Sequence, residues 1–84
     1  MKKYYRIDIL KAPRNNPRNP YGPPVIWRII REVSPHGFRP HYVMSISRAG
    51  HIVWTRDPIH ARLFRPAAAE KLAHSLSDLV RHPD

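Results

Sequence analysis

The sequence predicts a small α+β domain: a three- to four-stranded antiparallel sheet with one C-terminal helix packed on one face. Three observations carry this reading. Apolar and polar residues alternate near the N-terminus, a second alternating stretch is broken by Arg48-Ala49-Gly50, and the last third repeats its apolar residues at helical spacing. The chain of 84 residues is long enough for one domain, 1–84, with a single thin core. Hydrophobic residues make up 42% and charged residues 25%, which is enough apolar content to fold most of the chain.

Tyr5, Ile7 and Ile9 alternate with Arg6 and Asp8, as in a half-buried strand, and place a first strand at about residues 3–10. A proline-, asparagine- and arginine-rich stretch follows at 11–24, KAPRNNPRNPYGPP. Five of the chain's ten prolines fall there, and since proline lacks the backbone donor and restricts the residue before it, an extended arm or a long loop is expected. The next segment, VIWRIIREV at 25–33, supports two readings. Ile26, Ile29, Ile30 and Val33 have helical spacing, whereas Val25, Trp27, Ile29 and Val33 alternate. The β-branched and aromatic content and the shortness of the run favour a strand. Ser34-Pro35-His36-Gly37 is a turn signal in either case.

The stretch 42–56 is expected to form a β-hairpin. A two-residue Ala-Gly loop would pair Ser47 with Ile52. A three-residue loop with Gly50 in the left-handed conformation pairs Ile46 with Ile52 and Met44 with Trp54, so that Tyr42, Met44, Ile46, Ile52 and Trp54 share one apolar face. The second register is therefore expected. After the Asp57-Pro58 turn and a short apolar stretch through Ala61, Leu63 and Phe64, Pro66 suits a first helical position. The spacing of Ala69, Leu72, Ala73, Leu76, Leu79 and Val80 predicts an amphipathic helix over 66–81.

Fifteen Lys and Arg against six Asp and Glu give a formal charge of +9, and eleven of the fifteen are Arg. The planar guanidinium grips phosphate or carboxylate with two parallel bonds and stacks on bases, so the composition points to nucleic acid or an acidic protein surface as partner. With no Cys there is neither a disulfide framework nor a thiolate metal site, and no apolar run approaches a membrane span. A cytoplasmic protein with no membrane association is expected.

Chemistry-bearing patterns are sparse. The six histidines (36, 41, 51, 60, 74 and 82) lack metal-ligand spacing, though His36 and His41 flank a turn. Ser45, Ser47, His51 and Asp57 fall near one another in the hairpin, without the glycine-rich elbow that activates a nucleophilic serine. No phosphate-binding glycine loop occurs. A non-enzymatic binding protein without cofactor or metal is the expectation. The candidate contact residues are Lys11, Arg14, Asn16, Arg18 and Tyr21 in the arm, with Arg28, Arg31 and Arg48 outside it. Asparagine reads base edges and a basic arm can enter a minor groove. On a strand, Arg28 and Arg31 point to opposite faces, so only one of them joins Arg6 on the face away from the helix. That face is expected to lie open to a partner. Trp54 is expected to pack in the core, while Trp27 depends on the state of 25–33.

The run from Trp54 to Leu72, WTRDPIHARLFRPAAAEKL, resembles the ending of small phage and mobile-element proteins, where a Trp-bearing hairpin leads through an Ala-x-x-Phe step into an alanine-rich helix. It also resembles the AP2 and integrase-arm DNA-binding domains, which set a helix after a three-stranded sheet, although the DNA-contacting residues of the AP2 pattern have no one-to-one match here. The first likeness includes anti-CRISPR inhibitors, single domains that occupy a Cas effector. It implies, as the alternative function, a phage-encoded inhibitor that binds a Cas ribonucleoprotein and blocks DNA binding or cleavage. A chain of +9 does not imitate DNA, so such an inhibitor would bind an acidic patch or the nucleic acid itself.

Overall fold

A computed structural model describes residues 5–13, 26–35 and 39–83. The elements in chain order are β1 (Arg6–Lys11), β2 (Arg28–Val33), β3 (His41–Ile46), β4 (Ile52–Thr55), a 3-10 turn (Pro58–His60), α1 (Pro66–Leu76) and β5 (Val80–Arg81). They build a small α+β domain. The sheet differs from the expected three or four antiparallel strands: it has five, in the order β4-β3-β2-β1-β5, and is mixed. β1, β2, β3 and β4 pair antiparallel in sequence, while β5 lies parallel to β1 with Ile7 opposite Val80.

The register explains which residues are inside. Ile7 stands opposite Glu32, Ile9 opposite Ile30 and Lys11 opposite Arg28, so these six point to one side of the sheet. That side carries α1. Ile7, Ile9, Ile30, Val43, Phe64, Ala69 and Ala73 form the buried core, with Ile46, Ile52, Trp54, Leu72, Leu76 and Val80 packed around it. Ala69 and Ala73 let the helix approach the sheet closely, because a larger side chain at either position would hold the backbones apart.

The segment 25–33 resolves as strand from Arg28 onward, since tertiary pairing on both sides decides between its two periodicities. In the hairpin, Ile46 pairs with Ile52 and Gly50 has φ of 84°, as the three-residue loop requires. Further along, the register departs from expectation. A bulge between Val43 and Ser45 places Val43, not Met44, opposite Trp54. Val43 is fully buried, Met44 is exposed, and Tyr42 turns to the face away from the helix. The bulge absorbs one residue, which swaps the sides of everything before it. A Cβ at Gly50 would meet no atom within 4 Å, so the cost of Gly50→Ala is purely that of the left-handed backbone. Chemical denaturation of this variant is expected to show a loss of about 1 kcal/mol with an unchanged denaturant slope.

The helix also stops short of the expected Arg81. Ser77 adopts an extended conformation, its hydroxyl donates to the Tyr5 carbonyl at 2.8 Å, and the same oxygen accepts from the Leu79 amide at 3.0 Å. Serine competes well with helical bonding in this way. The Ile7 amide then donates to the Leu79 carbonyl, and residues 80–81 continue as β5. The His82 ring donates to one oxygen of Glu70, whose other oxygen receives His74 at 3.1 Å, so the C-terminal strand is tied back to the helix. These contacts hold the Glu70 carboxyl below its usual range, His82 contributing most. Leu79 and Val80 therefore owe their spacing to a strand that follows the helix. Among the described residues, no helix is long and apolar enough to cross a membrane.

Candidate nucleic-acid interface

A cluster of cationic side chains is assembled where β1 ends and β2 begins. Lys11 and Arg28 are cross-strand partners there, and the Ala12 amide donates to the Trp27 carbonyl at 3.0 Å. β3 pairs with β2 only through Tyr42–Arg31 and His41–Glu32, which leaves the other edge of Arg28 without a strand partner. The chain after the 3-10 turn takes that place. Asp57 caps the turn by accepting the Ile59 amide at 2.9 Å, Ala61 is buried, and the Arg62 amide donates to Val43 at 2.8 Å. Phe64 and Arg28 then exchange two backbone hydrogen bonds, each 2.8 Å. The buried Phe64 ring anchors the segment in the core, and Pro66 starts the helix at once.

This threading brings two arginines onto two aromatic rings. The Arg62 guanidinium lies over Phe64, 5.6 Å from the ring centre, and that of Arg65 lies over Trp27 at 5.8 Å. Arg28 donates to the Ile26 carbonyl at 2.8 Å. Among the described residues, no carboxylate pairs with Arg28, Arg62 or Arg65. Stacking fixes the plane of a guanidinium and lowers the entropy it loses on binding, while its in-plane N–H groups remain able to meet phosphate oxygens. The Trp27 ring nitrogen is buried and has no hydrogen-bond partner among the described residues.

The other strand arginine does different work. Arg6, Asp8, Arg31 and Tyr42 lie on the face away from the helix. Asp8 is completely buried, and both guanidinium groups close on it: Arg6 Nε at 2.8 Å from one carboxylate oxygen, Arg31 through two N–H groups to the other. Burial pushes the Asp8 carboxyl up, but the bonds and charges of Arg6 and Arg31 outweigh it and hold it below its usual range. For Arg31, burial acts downward and is overcome by Asp8 and Tyr42, so its pKa is raised. Arg31, expected as a contact residue, is thus held by a structural ion pair. The face itself is closed at its centre, contrary to the expectation of an open one. Ile29 on it is 2% exposed although it belongs to no part of the core under the helix.

Of the other candidates, Lys11 and Arg28 join the stacked cluster. Arg48 is exposed in the hairpin loop and belongs to a different part of the surface. Arg14, Asn16, Arg18 and Tyr21 lie outside the described residues, as does His36. Arg62 and Arg65 were not legible as site residues from composition. The signal for them is local: an aromatic anchor between two arginines, Arg62-Leu63-Phe64-Arg65, directly before a helix-starting proline. Ser47 and Asp57 spend their side-chain oxygens on the turns, Ser47 accepting the His51 amide at 3.1 Å. Among the described residues, no group of three or more His, Cys, Asp or Glu is arranged to hold a metal ion. No protein-family model matches the chain, and no curated protein or solved structure resembles it significantly.

Proposed function

We propose that this chain is a non-enzymatic binding module for nucleic acid or a ribonucleoprotein, with Arg28, Arg62 and Arg65 as the central contacts and the basic arm at 11–24 as a further one. The observation that carries the reading is the pair of arginines stacked on Phe64 and Trp27 with no carboxylate partner. Three of the chain's six acids support it by being engaged elsewhere: Asp8 pairs with Arg6 and Arg31 on the opposite face, Glu70 serves two histidines and Asp57 caps a turn. Because both rings are already covered by guanidinium groups, the contact is with the phosphate backbone rather than by stacking of bases. A cytoplasmic site of action belongs to the same proposal.

Fluorescence anisotropy with labelled duplex DNA, single-stranded DNA and RNA, repeated across salt concentrations, tests it. The affinity for duplex DNA is expected to fall with salt along a log–log slope of about −2.7 or steeper, which corresponds to three or more phosphate contacts. Absence of binding to all three ligands at about 50 mM salt, where phosphate contacts are strongest, would sink the proposal. So would recovery of a discrete protein partner from a host lysate in the same yield before and after nuclease treatment.

A further inference from the structure

At the other end of β1 and β2, the molecule has a pocket of opposite character. It has a volume of about 330 Å³ and is lined by Tyr5, Glu32, Gly50, Trp54 and Leu76 among others. Glu32 reaches it from the helix-covered side of β2, because it pairs with Ile7 and shares that residue's face. Among the described residues, no hydrogen bond or ion pair reaches the Glu32 carboxylate, although His41 stands opposite it across the strand pair. In a chain with a formal charge of +9, a carboxylate left without a cation is unusual, and this one is only partly in water.

The remaining walls favour the same kind of ligand. Tyr5 and Trp54 contribute aromatic rings, whose faces attract cations. Leu76 is the last residue of α1, so the C-terminal end of the helix, which carries partial negative charge, lies beside the pocket. Ile7 and Ile52 provide apolar wall for an alkyl stem. Carboxylate, aromatic faces, helix C-terminus and apolar wall together suit a flat cation on a flexible apolar chain. We infer that this pocket receives an arginine side chain presented by a partner protein chain, with Glu32 pairing the guanidinium and Trp54 packing against it. The site is separate from the basic cluster and does not depend on what that cluster binds.

The test is an amide-resolved NMR titration with two capped tripeptides, one carrying arginine between glycines and the other carrying citrulline, which keeps the shape and loses the charge. The arginine peptide is expected to give saturable shifts at Tyr5, Glu32 and Trp54, with the citrulline peptide at least about tenfold weaker. Glu32→Gln is expected to remove that difference, and since the peptide comparison needs no variant, the proposal remains testable if this one folds poorly. Equal behaviour of the two peptides, or no saturable shift with either, overturns it. Sedimentation of the unliganded protein then identifies the donor. Self-association abolished by Glu32→Gln makes the partner a second copy of this chain, and a monomer that still takes up the arginine peptide makes it a different protein.

Discussion

Asp8→Ala is expected to lower the unfolding free energy by about 2–3 kcal/mol, read as a shift of the denaturation midpoint at constant slope. The full cost of breaking a buried pair, about 3–5 kcal/mol, applies when the orphaned charge stays out of water. Here the side chains of Arg31 and Arg6 are 23% and 36% exposed, so both recover part of their hydration once the carboxylate is gone, and the expected loss is correspondingly smaller. A change below about 0.5 kcal/mol would mean that the two arginines are solvated well enough to dispense with Asp8. The same residue gives stability a pH dependence of definite sign. Its carboxyl is held lower in the folded chain than its ordinary value of 3.8, so its contribution is complete above that value and is lost as the pH falls through the lower, folded one. Glu70 acts in the same direction from its ordinary value of 4.5. The Asp8 share is therefore measured as the difference in acid sensitivity between Asp8→Ala and the parent chain. The variant is expected to lose less stability than the parent chain as the pH falls below about 4.

The second large effect concerns binding. Replacing Arg28, Arg62 and Arg65 together by alanine is expected to flatten the salt dependence of duplex binding by about 2.7 log–log units, since each lost phosphate contact removes about 0.9. The affinity ratio of parent to variant is therefore expected to be about 40-fold larger at 50 mM than at 200 mM salt, a wider gap than a similar triple change at ordinary surface arginines would give. Arg39, Arg48 and Arg56, all exposed and outside the cluster, form the comparison set. Removing them lowers the net charge equally, so equal losses from the two triple variants would show that only total charge matters and that the stacked geometry does not. Arg62 and Arg65 lie at the surface, and the core contact of this segment is made by Phe64, so the cluster variant is expected to stay folded. Its thermal unfolding midpoint, measured on the same preparations, checks this.

How much of this could be read from the chain depends on how far each signal reaches along it. The strand at Arg6–Lys11, the loop with Gly50 at its left-handed position and the helix start at Pro66 were legible because each rests on residues next to one another. The bulge at Met44 was not. Val43 and Met44 are both apolar, and only the packing of Val43 under the helix decides which of them faces inward. The end of the helix was misread for a related reason. Leu79 and Val80 continue the helical spacing, but Ser77 finds the Tyr5 carbonyl 72 positions away, and a pattern within one segment carries no trace of such a bond.

The candidate site divides in the same way. Alternation placed Arg28 and Arg31 on opposite faces, as they are, but the partner that occupies Arg31 is a carboxylate 23 positions earlier in the chain, beyond the reach of any local pattern. By itself the sequence determined a basic, cysteine-free α+β domain with an arginine-dominated excess of charge, since composition and local periodicity are properties of the unfolded chain as much as of the folded one. Only the tertiary structure decided which arginines are neutralised and which are stacked and left without a carboxylate. It also decided that one carboxylate, Glu32, would line an aromatic pocket with no cation paired to it among the described residues. Coulombic pairing and ring contact act over a few ångströms in space, and the fold alone brings distant residues within that range.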